Sequence, residues 1–260
     1  MKTIYKRPLS LTSNTTIFCP GCGHGIVQRV VAEVIDELGI REKTVGVAPV
    51  GCSVLSYDYF NLDCSESAHG RAPAVATGIK RSLPGRIVFT YQGDGDLAAI
   101  GTAEIVHAAA RSENITVVFV NNAVYGMTKG QLAPTSLIGQ KTTTTKRGRT
   151  AEANGYPIRV CELLAALEGS IYLERTTIGS VPEIIRTKRA IKKAFTCQME
   201  GKGFSLVEVL ANCPTNWKMT VPESFRWINE VMTVTFPPGV YKDKTAFDTE
   251  SEKKEGTPGK

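Results

Sequence analysis

The feature that most constrains the fold is a pair of short apolar runs, joined by a glycine-rich turn and an alanine-rich stretch. The runs at 87–91 and 115–121 have the length and composition of buried strands, and residues 97–111 between them have the composition of a helix. A strand, a helix and a second strand in this order form a right-handed crossover whose two strands run parallel. Their carboxyl ends therefore open at the same edge of one sheet, which is where open α/β sheets bind ligands.

Strand and helix patterns alternate along most of the chain, which predicts an α/β fold: a mostly parallel sheet with helices on both faces. We expect residues 1–237 to form one domain and residues 238–260 to form a polar, flexible tail. The Gly- and Thr-rich stretch 126–149 has no period and is long enough to be a functional loop. Further strands are predicted at 44–50, 170–176 and 205–210, and further helices at 25–38, 72–83, 161–167 and 181–199.

Composition restricts the classes of protein to which the chain can belong. It carries 31 Lys and Arg against 25 Asp and Glu, a net charge of +6, which is compatible with a nucleic acid, a phosphorylated cofactor or an acidic partner. No nucleic-acid signature accompanies the basic clusters at 141–149 and 186–193, so we expect no nucleic-acid partner. The apolar runs are too short for a membrane span and no signal-peptide pattern is present, so we expect a cytoplasmic location.

Polar side chains mark the carboxyl ends of the two paired strands. Asp94 follows the first strand and Asn122 follows the second. The glycines beside Asp94 loosely fit a dinucleotide-binding turn, and an ordinary tight turn is a further alternative. However, the carboxylates of Asp94 and Asp96 would repel a bare diphosphate, whereas a divalent cation placed between them would make them ligands. A helix that begins after Gly95 would direct amide donors at the same anion. We therefore favour a diphosphate bridged by magnesium.

The seven cysteines fall into two groups, and structural disulfides are not expected among them in a reducing compartment. Cys19 and Cys22 form a CxxC motif where a loop meets a predicted helix, and Cys52 and Cys213 each follow a predicted strand. Residues at strand ends can converge, so these four thiols suit either zinc or a [4Fe–4S] cluster, and their spacing leaves both open. The other three, which we expect to be free or packed thiols, are Cys64, Cys161 and Cys197.

The motifs together resemble those of a known family. GDG, followed by a strand and NN, looks like the thiamine diphosphate motif. The combined pattern of CPGCGH, VGCS, HGR, GDGD, NN.VYG.T.GQ and CP resembles the β (thiamine-binding) subunit of the 2-oxoacid:ferredoxin oxidoreductases. The resemblance covers about residues 18–214, which is most of the chain. It implies the diphosphate-type domain of the thiamine diphosphate-binding fold.

The resemblance also implies roles for individual residues. The side chains of Asp94 and Asn122 and the carbonyl of Val124 would hold Mg²⁺. His69, in the HGR motif, would contact the cofactor as a catalytic residue, since a neutral imidazole can hydrogen-bond a diphosphate or a developing oxyanion. The remaining histidines, which we interpret as packed or capping residues, are His24 and His107.

Two larger sets of residues follow from the same resemblance. The residues implied to bind thiamine diphosphate are Val50, Gly51, Cys52, Ser53, His69, Gly95, Asp96, Asn122, Gly126, Met127 and Thr128. The thiolates implied to hold one [4Fe–4S] cluster are Cys19, Cys22, Cys52 and Cys213. The ANCP context favours Cys213 over Cys197 as the fourth of them.

The activity that the resemblance implies is the oxidative decarboxylation of a 2-oxoacid with coenzyme A, which gives an acyl-CoA and CO₂ and passes electrons through the cluster to ferredoxin. A branched-chain acid such as 2-oxoisovalerate is favoured over 2-oxoglutarate. The glutamate that activates thiamine would lie on the pyrimidine-binding domain of an α subunit, with γ and ferredoxin-like δ subunits or their fusions completing the enzyme. The chain alone is therefore expected to be inactive.

Two other interpretations stay open at this point. The first is the small subunit of a non-oxidative thiamine diphosphate-dependent decarboxylase, which would share the GDG and NN motifs but need no cluster. The second is a zinc-stabilised binding module without catalysis. Both differ from the oxidoreductase in what the four cysteines would hold.

Overall fold

A seven-stranded sheet forms the centre of the molecule. The structure, a computed structural model, describes residues 6–246. The strands are β1 (Thr44–Ala48), β2 (Asp63–Glu66), β3 (Ile87–Gly93), β4 (Thr116–Asn121), β5 (Ser170–Thr177), β6 (Phe204–Leu210) and β7 (Gly239–Asp243). Their order across the sheet is β2-β1-β3-β4-β6-β5-β7. All neighbouring strands are parallel except β5 and β7. The predicted α/β fold with a mostly parallel sheet is confirmed.

Helices cover both faces of this sheet. They are α1 (Gly23–Leu38), α2 (Ser56–Tyr59), α3 (Ala72–Ser82), α4 (Thr102–Ala110), α5 (Ala151–Asn154), α6 (Val160–Ala165), α7 (Val181–Met199), α8 (Pro214–Trp217), α9 (Val221–Trp227) and α10 (Thr233–Thr235). Side chains of α1 and α7 share one core with Phe89 and Val118, whereas those of α3, α4 and α6 share the other with Val88 and Val117. Neighbouring residues of β3 and β4 thus point to opposite faces, and both faces are apolar because both are buried. Within residues 6–246, no helix is both long and apolar enough to cross a bilayer.

The strand order opens a crevice at one end of the sheet. From β1 the chain continues to β2 on one side, and from β3 it continues to β4 on the other side. Where the winding direction reverses in this way, a crevice forms outside the carboxyl ends of the strands and serves as the usual ligand site. The segments that follow β1, β3, β4 and β6 all begin at this end of the sheet.

The structure contains elements that the sequence did not predict. The strand β7 falls inside the segment 238–260, which was expected to be a flexible tail. It pairs antiparallel with β5, whose edge would otherwise be open, and Lys242 donates hydrogen bonds to the carbonyls of Ala165 and Leu167. The folded domain therefore extends past residue 237 at least to the end of β7. Residues 1–5 and 247–260 lie outside the described residues.

Candidate active site

One cleft at the carboxyl ends of β1, β3 and β4 gathers the residues that the sequence predicted to bind the cofactor and Mg²⁺. Its volume is about 270 Å³, near the lower end of the range of small-molecule sites, and it is partly open to solvent. The predicted residues that line it are Val50, Gly51, Cys52, Ser53, His69, Asp94, Gly95, Asp96, Asn122, Val124, Gly126, Met127 and Thr128. The residues that line it without having been predicted are His24, Gly93, Ile100 and Tyr125.

Asp94 is a buried carboxylate whose orientation is fixed by three hydrogen bonds from other residues. The Gly95 amide donates to Oδ1 at 2.8 Å. The Val124 amide and the Thr135 hydroxyl donate to Oδ2 at 3.1 and 2.9 Å. Burial nevertheless raises the pKa of Asp94 to about 7, because these donors offset only part of the cost of desolvating the charge. A divalent cation at this carboxylate would remove the remaining cost, so the side chain fits a magnesium ligand.

The turn after β4 supplies further oxygen atoms next to Asp94. Ala123 has a positive φ of 57°, and the Asn121 side chain holds this turn by accepting a hydrogen bond from the Ala123 amide at 3.1 Å. Asn122 Oδ1 accepts a hydrogen bond from the Val124 amide at 3.3 Å. Amide and carbonyl oxygens at this position are the ligand type that Mg²⁺ prefers, so the donor set fits the ion.

Asp96 is buried, and protein groups occupy its carboxylate. Oδ1 accepts hydrogen bonds from His69 Nδ1 at 2.7 Å, from the Gly70 amide at 2.8 Å and from the Val50 amide at 3.2 Å. Oδ2 accepts one from Gln92 Nε2 at 2.6 Å. The residue lines the cleft as predicted, but its charge is directed at the protein. It connects the segments after β1, before α3 and within β3 into one wall.

His69 is presented to the cleft by this carboxylate. Its side chain is 38% exposed, and Nδ1 is fixed by the hydrogen bond to Asp96. With Nδ1 donating to a carboxylate, Nε2 is the ring nitrogen left for a ligand. Gly70, the next residue, has a φ of 80°, and a side chain there would approach the backbone of Ile100 and Gly101 to 2.7 Å or less. The glycine of the HGR motif is therefore required by the close packing behind His69.

The four cysteines predicted to share a cluster lie within electrostatic reach of one another, and Cys52 lines the cleft. Burial raises the pKa of the Cys22 thiol to about 11, and the charges that Cys213 and Cys19 would carry add to the increase. Burial likewise raises the pKa of Cys52 to about 12, with further contributions from the other three thiols. Four thiols that disfavour one another's ionisation suit a cationic metal centre, which binds thiolates and releases their protons.

Two neighbouring residues, Gly126 and Asn216, lie close to the sulfur atoms of Cys52 and Cys213. A side chain at Gly126 would lie 2.9 Å from Cys52 Sγ, so only glycine leaves room for that sulfur. Asn216 Nδ2 donates a hydrogen bond to Cys213 Sγ at 3.2 Å and another to the Gly126 carbonyl at 2.9 Å. Asn216 therefore links the loop that carries Gly126 to Cys213.

The other cysteines have different neighbours. Burial raises the pKa of Cys197 to about 11, and the charges that act on it belong to Lys202, Glu200 and residues of β7 and α7. Cys161 is buried beside Glu208 and Arg175, and Cys64 lies on β2 beside Asp63. The expectation that these three are free thiols packed elsewhere agrees with their positions.

Comparison with known proteins identifies the family. Residues 49–209 match the C-terminal TPP binding domain of thiamine pyrophosphate enzymes. The ketoisovalerate oxidoreductase subunit VorA of Methanothermobacter thermautotrophicus is 45% identical over 94% of this chain and 51% of its own length. The 2-oxoglutarate synthase subunit KorB of Archaeoglobus fulgidus is 36% identical over 88% of this chain and 82% of its own length. The chain belongs to the family of 2-oxoacid:ferredoxin oxidoreductase β subunits.

A solved structure extends this assignment to the fold. A chain of the 2-oxoglutarate:ferredoxin oxidoreductase from Magnetococcus marinus, with 2-oxoglutarate, coenzyme A and succinyl-CoA bound, superposes with a TM-score of 0.75 at 25% identity. The superposition covers 94% of this chain and 86% of that chain. The present β subunit thus has the fold of the family along nearly its whole length, although it spans only about half the length of VorA.

Membership of the family makes thiamine diphosphate the cofactor of this chain. The matched domain contains Asp94, His69 and the turn at Asn122, so the cleft and the domain match coincide. Cys19, Cys22 and Cys213 lie outside residues 49–209, whereas Cys52 lies within them.

His24 lines the cleft, although its sequence context predicted only a packed or capping residue. It is buried as expected, and burial lowers its pKa to about 4, but it also lines the cleft. Its Nδ1 lies 3.0 Å from the Tyr91 hydroxyl, and its ring stacks on Phe18 with centroids 5.1 Å apart. One feature of the sequence indicates this position. His24 lies two residues after Cys22 of the CxxC motif, at the start of α1, and so at the same edge of the sheet as that cysteine.

Proposed function

We propose that this chain is the thiamine-binding subunit of an enzyme that oxidatively decarboxylates a 2-oxoacid with coenzyme A and delivers the electrons through a [4Fe–4S] cluster to ferredoxin. One observation carries the proposal: Cys52 lines the same cleft as Asp94 and Asn122 and also belongs to the group of four thiols. A redox centre and the thiamine site would then share a wall. Such an arrangement is what the transfer of electrons from the cofactor to a carrier requires.

For the metal beside the diphosphate, we propose Mg²⁺ held by the side chains of Asp94 and Asn122 and by the Val124 carbonyl. The support is the buried carboxylate with its raised pKa and the oxygen-rich turn beside it. The helical turn Gly95–Ile100 begins directly after Asp94, and we propose that its amides beyond that of Gly95 bind the diphosphate oxygens.

For the four cysteines, we propose a [4Fe–4S] cluster rather than zinc. Zinc has no redox chemistry, whereas a [4Fe–4S] cluster held by four thiolates can carry electrons. The position of Cys52 in the lining of the cleft supports a centre that takes electrons from the cofactor. Cys213 interacts electrostatically with Cys22 and Cys52, whereas the charges that act on Cys197 come from none of these cysteines. This difference supports Cys213 as the fourth ligand.

When bound, thiamine diphosphate supplies the nucleophilic carbon and the electron sink that decarboxylation needs. This chain's own residues orient it and control protons around it. Asp96 fixes His69 so that Nε2 faces a ligand, and we propose that this nitrogen is the catalytic donor to the diphosphate or to a developing oxyanion. The long loop that carries Gly126, Met127 and Thr128 lines the same cleft.

We propose a branched-chain 2-oxoacid such as 2-oxoisovalerate as the substrate, with 2-oxoglutarate next. The similarity to a ketoisovalerate oxidoreductase subunit, higher than that to the 2-oxoglutarate synthase subunits, supports this order. The partners we propose are an α subunit that carries the pyrimidine-binding domain, γ and ferredoxin-like δ subunits or their fusions, and ferredoxin itself. The free cysteines of the described chain are compatible with a reducing, cytoplasmic location.

The test is turnover by the native complex, purified without oxygen and supplied with coenzyme A and a viologen dye. We expect dye reduction that depends on coenzyme A and is fastest with 2-oxoisovalerate, when pyruvate, 2-oxoglutarate and branched-chain acids are compared. Release of CO₂ from these acids without dye reduction would support the non-oxidative decarboxylase instead. A colourless protein with stoichiometric zinc and no turnover would support the binding module.

A further inference from the structure

The segment 133–140 contacts the groups proposed to hold Mg²⁺ from the side away from the cleft. The hydroxyl of Thr135 donates to Asp94 Oδ2 at 2.9 Å. The next residue, Ser136, donates from its hydroxyl to the Ala123 carbonyl at 2.7 Å, and Gln140 Nε2 donates to the same carbonyl at 2.9 Å. Thr135 and Ser136 are fully buried. One short segment therefore contacts both the carboxylate and the turn that follows β4.

Arg149 holds this segment in place. Its side chain is 4% exposed, and Nη1 donates to the carbonyls of Pro134 at 2.9 Å and Ser136 at 2.6 Å. On the other side, the guanidinium donates to the carbonyls of Gly155 at 2.9 Å and Tyr156 at 2.8 Å. Within residues 6–246 no carboxylate pairs with Arg149. A buried guanidinium is stable only when such acceptors are fixed around it, so the segment has little freedom to move.

The hydrogen bonds of Asp94 are divided unequally between its two oxygens. Among the described residues other than Asp94 itself, Val124 and Thr135 donate to Oδ2, whereas Gly95 donates to Oδ1. Oδ1 therefore has more acceptor capacity left for a cation. Two of the three donors are backbone amides, so Thr135 is the side chain in the described chain that sets the rotation of this carboxylate.

We propose that Thr135 is a positioning residue for magnesium: its hydroxyl holds Oδ2 of Asp94 so that Oδ1 is presented to the ion. The inference rests on the proposed function, in which Asp94 is a metal ligand. Groups that hydrogen-bond a metal ligand from behind typically change metal affinity by about 10–100-fold when they are removed. Thr135 lies 41 residues after Asp94 and 13 residues after Asn122, in the loop that follows β4, and the sequence pattern assigned it no role.

The experiment is a titration of the native complex with Mn²⁺ in the presence of thiamine diphosphate, in which free Mn²⁺ is followed by electron paramagnetic resonance. Thr135→Val keeps the shape of the side chain and removes the hydroxyl, and we expect it to weaken Mn²⁺ binding by about 10-fold or more. Thr135→Ser keeps the hydroxyl and should bind within about threefold of wild type. If Thr135→Val does not fold, Thr135→Ala removes the same hydroxyl and needs no additional space.

The matched control is Thr187→Val, because Thr187 is equally buried and donates to a carbonyl, that of Thr177, away from the cleft. It should bind Mn²⁺ as wild type does. Wild-type affinity in a folded Thr135→Val or Thr135→Ala variant, or equal weakening in Thr187→Val, would overturn the positioning role and leave the proposed function intact. Failure of the wild-type complex to bind Mn²⁺ with thiamine diphosphate would contradict the proposed function itself, and with it this inference.

Discussion

Asp96 is the residue through which three segments of the cleft are joined. Its two oxygens accept hydrogen bonds from His69, Gly70, Val50 and Gln92, and its side chain is inaccessible to solvent. A carboxylate offers only acceptors, which suits a position where four donors converge. The second aspartate of the GDGD motif thus sets the geometry of the cleft wall, including that of the proposed catalytic histidine.

We predict that Asp96→Asn destabilises the protein although it preserves the size of the side chain. The asparagine NH₂ group would face donors, which leaves at least one buried donor without an acceptor, at a cost of about 1–3 kcal/mol. Urea unfolding of the wild type and the variant measures this difference. Asp58→Asn, an exposed aspartate on α2, is the control and should change the free energy of unfolding by less than about 0.5 kcal/mol. Equal stability of Asp96→Asn and wild type would show that Asp96 is not a structural centre of the cleft.

At the scale of elements, backbone hydrogen bonds and buried side chains together hold the loop between β4 and α5. Arg149 connects the carbonyls of Ala133 and Ser136 on one side with those of Asn154 and Tyr156 on the other. Its guanidinium therefore adds contacts between two parts of the loop to the bonds that the backbone makes.

We predict that Arg149→Lys loosens the loop. An ammonium has three donors in place of five and cannot span both sides of the site, so the free energy of unfolding should fall by about 1–3 kcal/mol. Amide hydrogen exchange should accelerate in residues 133–156 and stay unchanged in β3 and β4. Arg147→Lys, an exposed arginine in the same loop, is the matched control and should exchange as wild type does. Unchanged exchange in Arg149→Lys would mean that other contacts order the loop.

The fold was predictable from sequence where local pattern and burial agree. This holds for the strands β3 and β4, which are buried on both faces, and for the amphipathic helix α7. The residues of each of these elements show the apolar pattern that its burial requires. The strand β7 shows no such pattern, because none of its five residues is buried and the strand is ordered by pairing with β5. The candidate site shows the same difference between local sequence and tertiary contact. The GDG and NN motifs predicted Asp94 and Asn122, whereas the contact of Thr135 with Asp94 arises from tertiary structure alone.

For the molecule as a whole, the mouth of the cleft is exposed. It is partly open to solvent, and two apolar residues on its lining, Ile100 and Met127, are about half exposed. Their side chains are therefore accessible to a partner surface. This agrees with the proposed α subunit, whose pyrimidine-binding domain would complete the thiamine site.

We predict that the purified chain alone does not turn over any 2-oxoacid, even when it is loaded with thiamine diphosphate and Mg²⁺. The reason is that the glutamate needed to activate thiamine lies on another subunit in the proposed enzyme. Dye-linked assays of the chain alone, and of the chain after the partner subunits are added, make the comparison. Activity should appear only in the second case. Turnover by the chain alone would refute the proposed division of the active site.

The most direct test of the account is the iron and acid-labile sulfide content of the anaerobic complex, compared between Cys213→Ser and Cys197→Ser. We predict that Cys213→Ser loses about four iron and four sulfide per β chain together with viologen reduction, because a [4Fe–4S] cluster needs all four thiolates. Cys197→Ser, at a buried thiol on α7 away from the cleft, should keep both. Full iron, sulfide and activity in Cys213→Ser, or their loss in Cys197→Ser, would contradict the placement of a redox cluster against the thiamine cleft.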